Sequence, residues 1–213
     1  PRDHERDGQP PATYDDPGSL AADGPVSAGS AVDRLAAASP QPVVFIALHG
    51  TFGEDGTVQA LLEAAGVPYT GAGVAASALG MDKSLFKRLA RGLGLPVVDW
   101  REITVDRWRD APDAVLGELD AFAATTGDAR LMVKPARLGS SVGMTIAHTR
   151  EERGAALDEA FRFDTLALAE RYLPKPRELE VSVLGNAGDD LEQFGPGEIL
   201  SGREFYDYVA KYT

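Results

Sequence analysis

Val43-Val44-Phe45-Ile46-Ala47-Leu48 is an unbroken apolar run. Without a polar alternation it suits a strand buried on both faces, the kind found where helices cover a sheet from two sides. Residues 57–65 then read as a short helix stopped by Gly66, and residues 67–70 as a brief second strand. Strand, helix and strand in that order predict a parallel α/β layer. Ahead of it, residues 1–41 are rich in Pro, Gly, Asp, Ala and Ser and read as polar loop or linker. The chain opens on Pro1 rather than Met, and no strand precedes this stretch, which suggests a start inside a longer protein.

A second unit is expected from about Gly73. Residues 75–79 read as a short helix and residues 84–93 as a longer one, with Leu85, Phe86, Leu89 and Leu93 on one apolar stripe and Gly94 placed to end it. Residues 95–100 read as a strand, 113–124 as a helix, 130–134 as a strand and 144–147 as its hairpin partner. Thr149 is placed to cap a helix running to about Phe163, and strands follow at 165–170 and 178–184. Asn186-Ala-Gly-Asp-Asp190 reads as a turn.

Composition narrows the function classes. The 213 residues are 44% hydrophobic, enough for one large domain or two modest ones. No apolar run approaches the roughly 20 residues of a membrane helix, and no basic-then-apolar start resembles a secretory signal. The net charge of -12 argues against non-specific attraction to nucleic acid, although an acidic protein can still hold a basic pocket. The absence of cysteine excludes thiol catalysis and zinc–thiolate sites, and fits a cytoplasmic protein. His4, His49 and His148 are scattered without ligand spacing, so no histidine metal cluster is expected.

Lys134-Pro-Ala-Arg-Leu-Gly-Ser-Ser-Val-Gly143 carries the clearest chemistry. An apolar strand delivers a lysine, and a turn follows whose glycines, Ser140 and Ser141 could form an anion nest; a flexible connection is the plainer alternative. Lys83 precedes an amphipathic helix, where the positive end of the macrodipole disfavours a cation unless an anion binds there; it reads either as a second phosphate ligand or as a solvated lysine. His49-Gly-Thr-Phe-Gly-Glu-Asp-Gly56 lies where a strand ends and a helix begins, the usual ligand position in open α/β sheets. There Asp55 reads as a helix cap, and His49 with Glu54 as a site. Glu170 and Glu178 sit at strand ends and could accept from a base amine or ribose hydroxyls, or pair with Arg171 and Arg177 at the surface. Residues 205–212 read as an aromatic strand flanked by Lys211, and the chain ends one residue later at Thr213. The P-loop, the dinucleotide fingerprint and the Gly-x-Ser-x-Gly elbow are all absent.

Taken in order, the motifs resemble those of the D-alanine–D-alanine ligases of bacterial cell-wall synthesis, members of the ATP-grasp superfamily. The matching segments are Ala47-Leu-His-Gly50 with Gly53-Glu-Asp-Gly-Thr-Val-Gln59, Pro68-Tyr-Thr-Gly-Ala-Gly-Val74 with Ala76-Ser-Ala-Leu-Gly-Met-Asp-Lys83, and Val133-Lys-Pro-Ala-Arg-Leu-Gly-Ser-Ser-Val-Gly-Met144. Arg177-Glu-Leu-Glu-Val181 and Phe205-Tyr-Asp-Tyr208 with Ala210-Lys-Tyr212 complete the set. The resemblance implies an α/β ATP-grasp fold: after the linker, a remnant of the N-terminal substrate-binding domain over 42–72, a central ATP-grasp subdomain over 73–169, and the start of its C-terminal partner over 170–213.

The same resemblance implies roles. Lys83 and Lys134 would hold the α- and β-phosphates of ATP, with Ser140, Ser141 and the loop amides over the β/γ region. Glu170 would face the adenine amine, Tyr172 and Leu173 would line the adenine pocket, and Glu178 would take the ribose hydroxyls. Lys211 would lie near the transferred phosphate, Tyr212 would shape the second amino-acid subsite, and His49 and Glu54 would lie near the first. ATP with Mg²⁺ or Mn²⁺, two D-alanine molecules and a homodimer are the implied partners, with no nucleic acid and no membrane. Pro174-Lys-Pro176 departs from the family's usual turn ending in Gly. The family's Glu-containing N-terminal loop and its C-terminal arginine find no match in these residues. No metal ligand is assigned within the chain either, because the family's Asp, Glu and Asn ligands are expected beyond Thr213. The 213 residues alone are therefore expected not to turn over. A D-alanine–D-lactate ligase, a non-catalytic nucleotide-binding module and a structural α/β protein remain alternatives; Tyr212, where D-lactate relatives tend to have histidine, favours D-alanine.

Overall fold

The computed structural model describes residues 26–186 and 188–200. Its elements are α1 (Ala28–Ala37), α2 (Thr57–Ala64), α3 (Val74–Met81), α4 (Lys83–Gly92), β1 (Trp100–Thr104), α5 (Val105–Asp110), α6 (Pro112–Thr125) and β2 (Leu131–Pro135). They continue with β3 (Thr145–Ala147), α7 (Arg150–Ala160), β4 (Leu166–Arg171), β5 (Glu178–Leu184) and β6 (Glu192–Ile199).

The centre is a four-stranded sheet in the order β1-β4-β2-β3, antiparallel at every pairing. Its two faces have different tasks. In β2, Leu131, Val133 and Pro135 are buried while Met132 and Lys134 are only half-buried, as period-two alternation requires. The Leu131 face joins Ile103, Ala147, Ala167 and Ala169 and is covered by Val115, Leu119 and Phe122 of α6 and Ala156, Leu157 and Ala160 of α7. Both helices present these residues at three- and four-residue spacing, so each has one apolar stripe for the sheet. Each fully buried leucine there contributes about 2 kcal/mol of hydrophobic stabilisation. The register puts Glu170 opposite both Met132 and Trp100, and Leu168 opposite both Lys134 and Glu102. The second face therefore carries Trp100, Glu102, Lys134 and Glu170, and α4 lies against it through Ser84 Oγ, which donates to Glu102 Oε1 at 2.7 Å.

Several sequence expectations are met closely. Thr149 caps α7 by accepting the Glu152 N–H, and residues 145–147 pair with β2 as a hairpin. Others are corrected. The run at 43–48 is not a strand buried on both faces: only Val44 forms a parallel bridge, to Tyr69, and Val43, Phe45 and Leu48 are exposed because no described strand lies on the other side. Residues 28–37 are helical rather than loop, started by Ser27, whose hydroxyl accepts the Ser30 N–H at 3.1 Å. The strand expected over 95–100 begins only at Trp100, where pairing with β4 starts. Leu85, Phe86, Leu89 and Leu93 do not face the core; α4 turns Ser84 and Ala90 inward and leaves that stripe exposed. Strand β4 spans Leu166–Arg171 against the expected 165–170, while β5 opens the second sheet, the β5–β6 hairpin, at Glu178 as expected.

Candidate functional site

The loop after the apolar run is shaped by its own carboxylates. Asp55 accepts the Phe52 N–H at 2.8 Å and the Thr57 N–H at 2.9 Å, but the N-cap of α2 is Gly56, in the left-handed region, so Asp55 steadies the turn before the helix rather than capping it as expected. The Phe52 contact, the largest influence, holds its carboxyl below the usual range. Glu54 Oε2 accepts the Gly50 N–H at 2.6 Å, and its Oε1 lies 3.7 Å from His49 Nδ1. His49 and Glu54 are thus brought together as the sequence suggested. Behind them, buried Gln59 donates through Nε2 to the Gly53 carbonyl at 2.8 Å.

Across from this loop, the start of α4 meets the end of β2. The Lys83 N–H donates to Ala136 O at 3.0 Å, and its Nζ donates to the Ala136 and Leu138 carbonyls. Burial, then the charge of Lys134, lowers the Lys83 pKa to about 8. It is not a solvated surface lysine. Lys134 Nζ lies 2.7 Å from Glu170 Oε2, and Lys87 Nζ lies 3.0 Å from Glu170 Oε1. The Lys87 contact lacks hydrogen-bond alignment and is an ion pair. Glu170 is therefore neither open to a base nor paired with Arg171 at the surface; it is 6% exposed and held between two lysines. Three ammonium groups gather near Glu170 while Glu102, on the same face, is paired with Arg88, and that surplus of positive charge fits a polyphosphate.

Ser140 and Ser141 follow, with φ of +52° and +56°, and Gly143 has φ of +69°. Two consecutive non-glycine residues in the left-handed region are uncommon. The loop faces the His49–Glu54 side: a Cβ on Gly139 would stand 3.9 Å from Glu54 Oε2. Between them lies a cleft of about 640 Å³ lined by His49, Glu54, Lys83, Ser140 and Ser141. Beside it, a cavity of about 230 Å³ has Phe86, Val97 and Val98 as walls and Lys83, Lys87 and Lys134 at its margin.

The other expected residues lie elsewhere. Tyr172 does not line either cavity; it is buried, with the Arg130 guanidinium 4.3 Å from its ring centre. Leu173 is exposed after β4, and Glu178 opens β5 in the second sheet, where Arg177 pairs with Glu198 at 2.8 Å rather than with Glu178. Lys211 and Tyr212, with the rest of the aromatic segment and Thr213, lie outside the described residues. The expectation that the metal ligands follow Thr213 therefore also falls outside them. Among the described residues no group of three or more His, Cys, Asp or Glu could hold a metal ion, and no helix is long and apolar enough to cross a membrane. Lys87 and Gln59 were not singled out in the sequence. The signal for Lys87 was its four-residue spacing from Lys83, which places both on one helical face.

A family model described as "D-ala D-ala ligase C-terminus" matches residues 89–213, and one described as "D-ala D-ala ligase N-terminus" matches residues 3–72. The chain belongs to the D-alanine–D-alanine ligase family. Relatives named D-alanine–D-alanine ligase include one from Enterococcus gallinarum, 44% identical over 170 residues and covering 80% of this chain and 52% of the relative. Another, from Deinococcus radiodurans, is 46% identical over 182 residues, covering 84% of this chain and 51% of the relative. Among solved structures, the D-alanine–D-alanine ligase of Coxiella burnetii matches with a TM-score of 0.66 and 40% identity over 74% of this chain and 44% of that one. The VanG D-Ala:D-Ser ligase of Enterococcus faecalis matches with a TM-score of 0.66 and 35% identity over 80% of this chain and 47% of that one. The chain thus spans about half the length of the D-alanine–D-alanine ligases it matches. The fold is the partial α/β ATP-grasp fold of that family.

Proposed function

We propose that the protein joins two D-alanine molecules at the expense of ATP, giving D-alanyl-D-alanine for peptidoglycan precursors. The observation that carries this reading is the single cleft in which a His49–Glu54 pair faces Lys83 and the Ser140–Ser141 loop. One end suits a small amino acid and the other suits phosphates. Lys83 and Lys134 neutralise the nucleotide's phosphates, and the hydroxyls and amides of the loop close over the transferred group. A carboxylate oxygen of the first D-alanine attacks the γ-phosphorus, the bond to ADP breaks, and an acylphosphate forms. The amine of the second D-alanine then attacks the acyl carbon, releasing phosphate and, once a proton is lost, the neutral peptide nitrogen. Positioning and charge neutralisation carry a transfer of this kind, and a closed loop keeps water from the acylphosphate. Mg²⁺, which the family resemblance implies, has no ligand set among the described residues.

Glu170 accepts the adenine amine once Lys134 turns to phosphate, and Tyr172, Leu173 and Glu178 complete the nucleoside side. Lys211 and Tyr212 belong to the transferred phosphate and the second amino acid. Residues 42–72, 73–169 and 170–213 form the successive subdomain parts, in a cytoplasmic homodimer. Similarity to the VanG D-Ala:D-Ser ligase favours one second reading, a different acceptor at the second subsite. Mass analysis of the full-length protein's products from D-alanine, D-serine and D-lactate tests both. D-alanyl-D-alanine as the main product with ADP supports the first reading; a mixed product as the main one supports the second, and no ATP-dependent product contradicts both.

A further inference from the structure

Glu170 is a buried carboxylate whose two oxygens are held by two lysines of different attachment. Lys134 reaches Oε2 at 2.7 Å and Lys87 reaches Oε1 at 3.0 Å, and the three side chains are 15%, 12% and 8% exposed for Lys134, Lys87 and Glu170. Only one of these lysines is anchored independently. Lys87 Nζ also donates to Val98 O at 3.0 Å and stands 5.1 Å from the Trp100 ring centre, so it stays in place whatever Lys134 does. A phosphate drawing Lys134 away would strand Glu170 as a buried uncompensated charge if Lys87 were absent, and such stranding is strongly unfavourable. We propose that Lys87 is a positioning residue of the nucleotide site, holding one oxygen of Glu170 so that Lys134 can exchange its own hold on that carboxylate for a phosphate. The inference rests on the ATP-site reading above. It follows that Lys87 acts on nucleotide affinity through Glu170 and leaves amino-acid affinity alone.

Steady-state kinetics on the full-length protein test it with Lys87→Met, Lys87→Arg, Glu170→Gln and the Lys87→Met/Glu170→Gln pair. Lys87→Met raises KM for Mg-ATP about tenfold, the equivalent of about 1.4 kcal/mol, while KM for D-alanine stays unchanged. Lys87→Arg restores most of the loss, and in the Glu170→Gln background Lys87→Met adds nothing, because no carboxylate is left to strand. An unchanged KM for Mg-ATP in Lys87→Met, or an equal added loss in the Glu170→Gln background, overturns the proposal. Lys134→Met separates the two levels of the argument. If it retains the wild-type KM for Mg-ATP, the ATP-site reading itself fails and the inference with it; if it loses affinity while Lys87→Met does not, only the inference fails.

Discussion

Lys83 shows how one residue can tie the fold together and also suit an anionic ligand. Its Nζ ties the turn after β2 to α4 through two carbonyls, while burial and Lys134 bring its pKa from 10.5 to about 8. Between those values the unfolded chain holds a proton that the folded chain has lost, so stability gained from this group rises with pH from about 8 to 10.5. An anion beside Lys83 reverses the shift. Mg-ATP binding near pH 8.5 is therefore accompanied by proton uptake, seen by calorimetry as a heat that varies with the buffer's ionisation enthalpy, and Lys83→Met removes that dependence. The sequence showed Lys83 and Lys134 because each stands at an element boundary beside unusual residues. It hid Lys87, which reads as one more cation on a helix until the β4 register brings Glu170 beneath it.

At the scale of elements, the segment between β2 and β3 combines a lysine at its start, two serines in the left-handed region and a glycine wedged at its end. A Cβ on Gly143 would stand 2.8 Å from Phe163 Cδ2 and 2.9 Å from Pro135 Cγ, at a φ of +69° that disfavours any side chain. Gly143→Ala is expected to destabilise the protein by about 2 kcal/mol, through backbone strain and overpacking. A denaturation midpoint equal to the wild type would refute that wedge. Strand and helix positions were readable where an apolar period met a sharp punctuator: Thr149 before α7 and Gly66 after α2 are examples. They were misread where tertiary pairing decides. Leu95 to Val98 have strand composition but no described strand partner, and α4 turns Ser84 and Lys87 to the sheet, where they meet Glu102 and Glu170.

Over the whole molecule, charge is unevenly spent. The chain carries a net charge of -12, yet the cavity beside its cleft gathers Lys83, Lys87 and Lys134, two of which hold the buried Glu170. On the proposed reading a polyphosphate would be attracted locally although the molecule as a whole repels it, so binding should depend on these side chains far more than on bulk ionic strength. The cleft itself was only half readable. The sequence marked His49, Glu54, Lys83 and the serine turn separately, but their meeting depends on how residues 46–54 and 138–144 approach across α3, and no local pattern encodes that approach. The most direct measurement is a calorimetric titration of Mg-ATP into the full-length protein and its Lys83→Met/Lys134→Met variant. Loss of two charge-assisted contacts, about 1.5–3 kcal/mol each, predicts affinity weakened at least about 100-fold in the double variant. Equal affinity in the two proteins would contradict the assignment of this cleft as the phosphate site.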